Sequence, residues 1–380
     1  MQIFFLKLSK MKPGLLMITF VIFCSCQWLI TKNQEKQLIL ALRSSPTSQV
    51  VMTYNVENLF DTQDDPQKED NTFLPLKLKN THGHKRFCQK IKIKKWRQEC
   101  LYKDWSESLL HLKLQRLSGS ILQINAGKGP DLLILEEVEN INVLEKLNKD
   151  FLSPADYRSV VLIEGDDPRG IDLAMLSRWP MVGPGKLHRI PGQAKLRGIL
   201  HADFLLPDGS VLTSFAVHLP NPTHGPQLRT QVLNFLNALT EGLPKNRLVL
   251  VGGDFNISKS EDKKMHRYKD LAKSWLVSHL VGCDLCKGTH YYKSSQEWSF
   301  LDALLFSKNF DLDQNGTWFL DKASVQIPKA YPLQSVDGRP KSLDQIDQAY
   351  GVSDHFPMAA LIRQRKISQK HKGAPWDLNY

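Results

Sequence analysis

Gly252-Gly253-Asp254-Phe255-Asn256 sets a carboxylate and an amide two residues apart behind a pair of glycines. The run Arg247-Leu248-Val249-Leu250-Val251 before it reads as a buried strand. Two glycines let the backbone turn sharply at the strand's carboxyl end. Asp254 and Asn256 alternate past Phe255, so both point the same way. A carboxylate and an amide aimed at one spot suit a polarised water and a phosphate oxygen. Alone, the stretch also reads as a turn into a helix cap. Three other segments share the pattern of an apolar strand beside a polar cluster. Val50–Tyr54 runs into Asn55-Val56-Glu57-Asn58, Asp131–Leu135 runs into Glu136-Glu137-Val138-Glu139, and Ser353-Asp354-His355-Phe356-Pro357 precedes Met358–Ile362.

Elements must bring these clusters together. Strands are expected over 49–54, 131–135, 157–163, 171–176, 199–205, 211–217, 247–251, 300–306 and 358–362. Helical spacing of Leu109, Leu112, Leu117 and Ile121 predicts a helix over 106–123, and further helices are expected at 141–147 and 227–239. Asp61 to Lys90 carries turn formers and no steady period, and reads as a long loop near the site. Because the clusters run from Asn55 to His355, a two-domain division would split them, so one α/β domain over 49–363 is expected.

The motifs TYNVENLF, LEEVEN, RGIDLAML, AVHLP, GGDFN, WSFLDALLFS and SDHFP occur in that order over roughly 49–363. In this the chain resembles the endonuclease/exonuclease/phosphatase, or DNase I-like, superfamily. The resemblance implies a four-layer α/β sandwich, two packed mixed β-sheets flanked by helices. It also implies metal-dependent hydrolysis of phosphoesters. By motif position, Asn55 and Glu137 are implied as metal ligands and Asp354 as a further one. Asp254 would orient or deprotonate the attacking water. Asn256 and His218 would hold a phosphate oxygen. His355 would act as acid or base, paired with Asp302. Arg169 would contact the phosphate, and Asp172 would support the site from its strand. Glu136 stands where the family commonly has Gln, and its charge is expected to face solvent. Gly170 stands near where the DNA-repair members carry a Tyr, which counts against an abasic-site repair nuclease. His224 and Arg229 are further candidate phosphate contacts.

The required ion follows from the donors. Mg²⁺ prefers oxygen ligands and keeps several waters, with Mn²⁺ or Ca²⁺ as alternatives.

The 380 residues carry a net charge of +11, unevenly placed. Lys85, Arg86, Lys90, Lys92, Lys94, Lys95, Arg97 and Lys103 cluster around Trp96 and Tyr102, and a second basic cluster closes the chain over 364–380. Such clusters attract polyanions, whether nucleic acid or anionic headgroups. Lysines before the apolar run Leu15–Phe23 and Cys24-Ser25-Cys26 read as an export signal over 1–26, with Cys26 as a candidate lipidated residue, followed by a tether over 27–48. The remaining Cys88, Cys100, Cys283 and Cys286 are expected to pair locally as disulfides, Cys283-Asp284-Leu285-Cys286 also having the spacing of half a zinc site.

The expectation is an exported, membrane-tethered, Mg²⁺-dependent phosphodiesterase, a monomer acting on nucleic acid. Two alternatives stand beside it. One is a sphingomyelinase-like or inositol-phosphate phosphoesterase. The other is a catalytically silent surface protein that binds polyanions or a host factor.

Overall fold

A computed structural model describes residues 42–314, 316–329, 337–344 and 351–365. The signal over 1–26, Cys26, most of the tether and the tail from 366 lie outside them. Strands are numbered along the chain. β1 (Ser48–Leu59), β2 (Leu132–Val138), β3 (Ser159–Leu162), β4 (Asp172–Ser177), β13 (Trp318–Gln326) and β14 (Met358–Gln364) form one sheet in the order β13-β14-β1-β2-β4-β3. β5 (Lys186–His188), β6 (Ile199–Leu205), β7 (Val211–His218), β8 (Leu248–Asp254), β9 (Trp275–Val277) and β12 (Asp302–Ser307) form a second, ordered β5-β6-β7-β8-β12-β9. β10 (His290–Tyr292) and β11 (Glu297–Ser299) make a separate hairpin.

Each sheet has a parallel pair at its centre, β1 with β2 and β7 with β8, among antiparallel neighbours. A parallel pair needs a crossover. Between β1 and β2 the chain forms α1 (His82–Gln89), α2 (Lys94–Tyr102) and α3 (Glu107–Leu122); α4 (Ile141–Lys146) follows β2, and α5 (Pro226–Glu241) joins β7 to β8.

Strand alternation sorts the apolar residues into layers. Val50, Met52 and Tyr54 of β1 pack with Leu110, Leu114, Leu117 and Ile121 of α3. The intervening Val51 faces the other way and joins Ile134, Leu250, Leu304 and Phe306 between the sheets. On the far side, Phe215, Val217, Val249 and Val251 pack with Val232 and Leu236 of α5. Helix, sheet, sheet and helix stack as the expected four-layer sandwich. Each fully buried Leu, Ile or Phe contributes about 1.5–3 kcal/mol from transfer alone.

Several local expectations are corrected. β8 runs straight through Gly252 and Gly253 instead of turning at them. A Cβ on Gly252 would meet Ile134 Cδ1 at 2.6 Å, and one on Gly253 would meet the Val217 carbonyl oxygen at 1.9 Å. The glycines therefore admit the opposite sheet and the neighbouring strand. The supposed loop over 61–90 contains α1 and short 3₁₀ turns at Asn71–Phe73 and Leu76–Leu78. The folded unit also begins before residue 49: Leu42 is buried in the helix-side core, and Asn125 Oδ1 accepts a 2.8 Å hydrogen bond from the Ser44 amide. β5, β9 and the β10–β11 hairpin are three-residue strands, too short to show a period.

Candidate active site

The ends of β1, β2, β7, β8 and β12 and the turn before β14 meet at one cleft of about 810 Å³. Strand irregularities aim the acidic side chains. β1 bulges after Asn55, with Glu57 and Asn58 at φ 51° and 56°. β2 bulges after Glu136, with Glu137 at φ 66°. A bulge breaks the period of two and re-aims a side chain. Glu136 keeps the alternation of Ile134, so it points between the sheets, where Thr53 Oγ1 donates to it at 2.7 Å. It is fully buried, not solvent-facing as its charge suggested. Burial, together with Asp302, pushes its pKa well above the ordinary value.

Glu137 turns outward to the cleft. Its Oε2 accepts from the Asn58 amide at 3.0 Å, and its Oε1 lies 3.4 Å from Asn55 Nδ2. Asn55 Nδ2 also donates to Asp254 Oδ2 at 3.1 Å, and its Oδ1 accepts from the Glu57 amide at 3.0 Å. Asp254 Oδ1 accepts from the Asn256 amide at 2.8 Å. Asn256 does not reach this position by strand alternation. It lies past the strand at φ 49°, and its Nδ2 donates to the Leu219 carbonyl at 3.0 Å, with Asp254 Oδ2 at 3.2 Å. Asn256 thus holds Asp254 in place as much as it faces the cleft.

His355 Nδ1 donates to Asp302 Oδ2 at 2.7 Å. Its Nε2 faces the cleft, 4.0 Å from Asp254 Oδ2 and 3.9 Å from Asp354 Oδ1. Burial disfavours the imidazolium, but Asp302, Asp354 and Asp254 outweigh it and hold the pKa well above 6.5. His218 Nε2 lies 3.5 Å from Asp254 Oδ2 and 3.8 Å from Glu137 Oε1. Burial, Arg197, Arg169 and His355 push its pKa well below 6.5, which favours the neutral imidazole. Burial raises Asp254 to about 7, with His355 opposing the rise and Asp302 adding to it. The cleft thus favours the imidazolium at His355, disfavours it at His218 and lifts the Asp254 carboxyl toward neutral pH.

The other residues divide clearly. Arg169 lines the cleft with its side chain half exposed. Asp172 lies beneath it, buried, accepting from the Gly165 amide at 2.8 Å, and so supports the loop that carries Arg169. Arg229 is no phosphate contact: it is buried, pairs with Glu261, and donates to the Pro220 and Asn221 carbonyls at 2.9 Å each. It fixes the loop bearing His224, which is exposed on the cleft wall. The structure joins Cys88 to Cys100 and Cys283 to Cys286. Both sulfurs of Cys283-Asp284-Leu285-Cys286 are thereby taken from any zinc site.

Sequence reasoning missed four neighbours. Glu57 Oε2 accepts from the Asp354 amide at 3.0 Å. Lys113 of α3 donates to the Glu57 carbonyl at 3.0 Å and to the Val352 carbonyl, tying the helix to two site loops. His290 Nδ1 donates to the Asp354 carbonyl at 2.9 Å. Arg197 reaches the cleft with a largely buried guanidinium, its Nη1 3.6 Å from Asp167 Oδ2. Glu57 stood inside a quoted motif; for the others no local pattern exists.

Two groups of donors converge closely enough to hold an ion, Asp354 with His290 and His355, and Asp254 with Asp302 and His355. Glu137 and the Asn55 amide beside them add oxygens of the kind a hard divalent ion prefers. Burial, with a smaller push from Asp354 that Lys113 opposes, raises Glu57 to about 8.

The model of the Endonuclease/Exonuclease/phosphatase family matches residues 52–355. The chain belongs to that family, whose members are hydrolases of phosphoester bonds and generally depend on a divalent metal. Similar solved structures include an endonuclease/exonuclease/phosphatase from Beutenbergia cavernae, 15% identical over 84% of this chain and 72% of that one, with TM-score 0.49. A family protein from Bacteroides thetaiotaomicron is 14% identical over 85% of this chain and all of that one, with TM-score 0.50. TDP2 from Caenorhabditis elegans is 14% identical over 83% and 75%, with TM-score 0.49. Such identities speak to the fold alone. A comparison with curated proteins gave no match.

Proposed function

We propose that the protein is a Mg²⁺-dependent phosphodiesterase that hydrolyses nucleic-acid backbones, exported and acting at the cell surface. The observation that carries the chemistry is His355, held by Asp302 and facing Asp254 across the cleft. Raised to about 7, Asp254 as the carboxylate suits general-base work near neutral pH, taking a proton from a water that it orients. His355 as imidazolium suits donation to a phosphate oxygen or to the departing alkoxide. His218 presents a donor, and Arg169 and Arg197 bring positive charge to the same cleft, suited to the charge that develops on a phosphate. Glu137, Asp354 and Asn55 would hold the ion, which when bound would polarise a phosphoryl oxygen and lower the pKa of its water.

Support for nucleic acid comes from the net charge of +11 and the exposed basic residues over 85–95. Export rests on the reading of residues 1–26. The test incubates the full chain with supercoiled plasmid in Mg²⁺ or in EDTA, beside Asp254→Ala. Nicking should need Mg²⁺ and fall by about two to four orders of magnitude in the variant. Intact plasmid together with turnover of sphingomyelin or an inositol phosphate would replace this reading with the phospholipid or inositol one.

A further inference from the structure

α1 and α2 bury little: among their residues only His84, Cys88 and Cys100 are buried side chains. A helix pair that buries so little adds little to the core. It is instead pinned by local devices. Cys88 is bonded to Cys100, His84 Nε2 lies 2.9 Å from the Cys100 carbonyl, and Lys79 Nζ donates to the same carbonyl at 3.1 Å. At its base Lys103 lies over the Phe73 and Trp105 rings, 4.7 and 5.1 Å from their centroids. What the pair presents outward is charge. From His82 to Lys103 there are eight Lys and Arg against one acidic residue, Glu99. Lys85, Arg86, Lys90, Lys92, Lys94 and Lys95 are all exposed, with Lys95 in a loose surface contact with Glu99. Trp96, at 55% exposure, lines the rim of the active-site cleft.

We propose that α1 and α2 form a docking arm for a single nucleic-acid strand, with Trp96 stacking on an unpaired base at the rim while the lysines follow the backbone away from the cleft. The proposal rests on the nuclease reading above and gives it a substrate: a single-stranded stretch several nucleotides long. The charge matches a phosphate backbone, and its continuity with the cleft through Trp96 favours a substrate strand over a lipid surface. A lone indole can stack on an unpaired base but not on one enclosed in a duplex.

The test measures binding of fluorescein-labelled oligothymidylate to the full chain in EDTA, over a range of salt concentrations. Trp96→Ala should weaken binding about tenfold for the strand and leave binding of a duplex of equal length unchanged. Lys92→Ser, Lys94→Ser and Lys95→Ser together should flatten the slope of log affinity against log salt by about 2. The lysine variant should hydrolyse bis(p-nitrophenyl) phosphate in Mg²⁺ at the wild-type rate, because that diester is too small to reach Lys92, Lys94 and Lys95. Unchanged strand binding in both variants overturns the proposal, as does an equal loss by the lysine variant on the small diester. So does a selective loss of binding to phosphatidylglycerol vesicles with strand binding intact, which would make the arm a membrane face. A wild-type protein that turns over the small diester and binds the strand through Trp96, yet never cleaves it, sinks the nuclease reading and leaves the docking arm standing.

Discussion

At the scale of single residues, the site works by setting neighbours' proton affinities apart. Asp302 is buried and devoted to His355, and the bond fixes which ring nitrogen faces the cleft. Asp302→Asn preserves shape and removes the charge that favours the imidazolium. Turnover of a small phosphodiester should fall about 10²- to 10⁴-fold with the fold intact. A rate within threefold of wild type would remove His355 from the chemistry. Glu139 offers a test of linkage away from the reacting groups. Burial lifts its pKa from 4.5 to about 8, against the hydrogen bond it accepts from the Asp61 amide. A carboxyl whose pKa rises on folding binds extra protons in the native state between those two values. Stability conferred through it therefore falls as pH climbs from about 4.5 to 8. Glu139→Gln should remove that decline, so urea unfolding at pH 5, 6.5 and 8 should show the variant gaining on the wild type. Parallel curves would refute the assignment.

Elements decide where the residues end up. Asn55 reaches the site by the regular alternation of Val51 and Thr53, and the β2 bulge sends Glu137 to the same point, while the regular stretch just before sends Glu136 into the inter-sheet layer. β8 must lie close to β7 for Asp254 to sit 3.5 Å from His218. Only glycine permits this at 253, where φ is +151° and a Cβ would stand 1.9 Å from the Val217 carbonyl oxygen. Gly253→Ala should destabilise by about 3 kcal/mol, since both the backbone conformation and the adjacent strand resist it. A denaturation midpoint equal to wild type would mean that the strands part more readily than this packing implies.

For the whole molecule, the two sheets share one site. Asn55, Glu137 and the Asp354 turn belong to the first sheet, and His218, Asp254 and Asp302 to the second. Neither sheet holds a working set, so the site exists only when the inter-sheet core is packed. Carboxyls drawn together by that packing repel one another, and a divalent ion bound only by the folded protein should relieve them. At about one hundred times its dissociation constant such an ion adds about 2.7 kcal/mol. Mg²⁺ should therefore raise the melting temperature by a few degrees, and EDTA or Glu137→Gln should abolish the rise. An equal rise in Glu137→Gln would place the ion elsewhere.

The sequence alone determined the strand-end clusters, the main helices and the family pattern, because local alternation, helical spacing and short motifs are written in consecutive residues. Asp254, His218, His355 and Asp302 were legible as candidates for that reason, and α3 was legible from the spacing of Leu109, Leu112, Leu117 and Ile121. Tertiary structure decided the rest. Glu136 and Glu137 are adjacent acids that a bulge sends to opposite environments, and no pattern in the sequence marks the bulge. Arg229 and Arg169 are both arginines near the site, separated in role by one being buried against Glu261. Glu57, Lys113, His290 and Arg197 acquire meaning only from partners far away in the chain, since charge, burial and hydrogen bonding depend on neighbours in space.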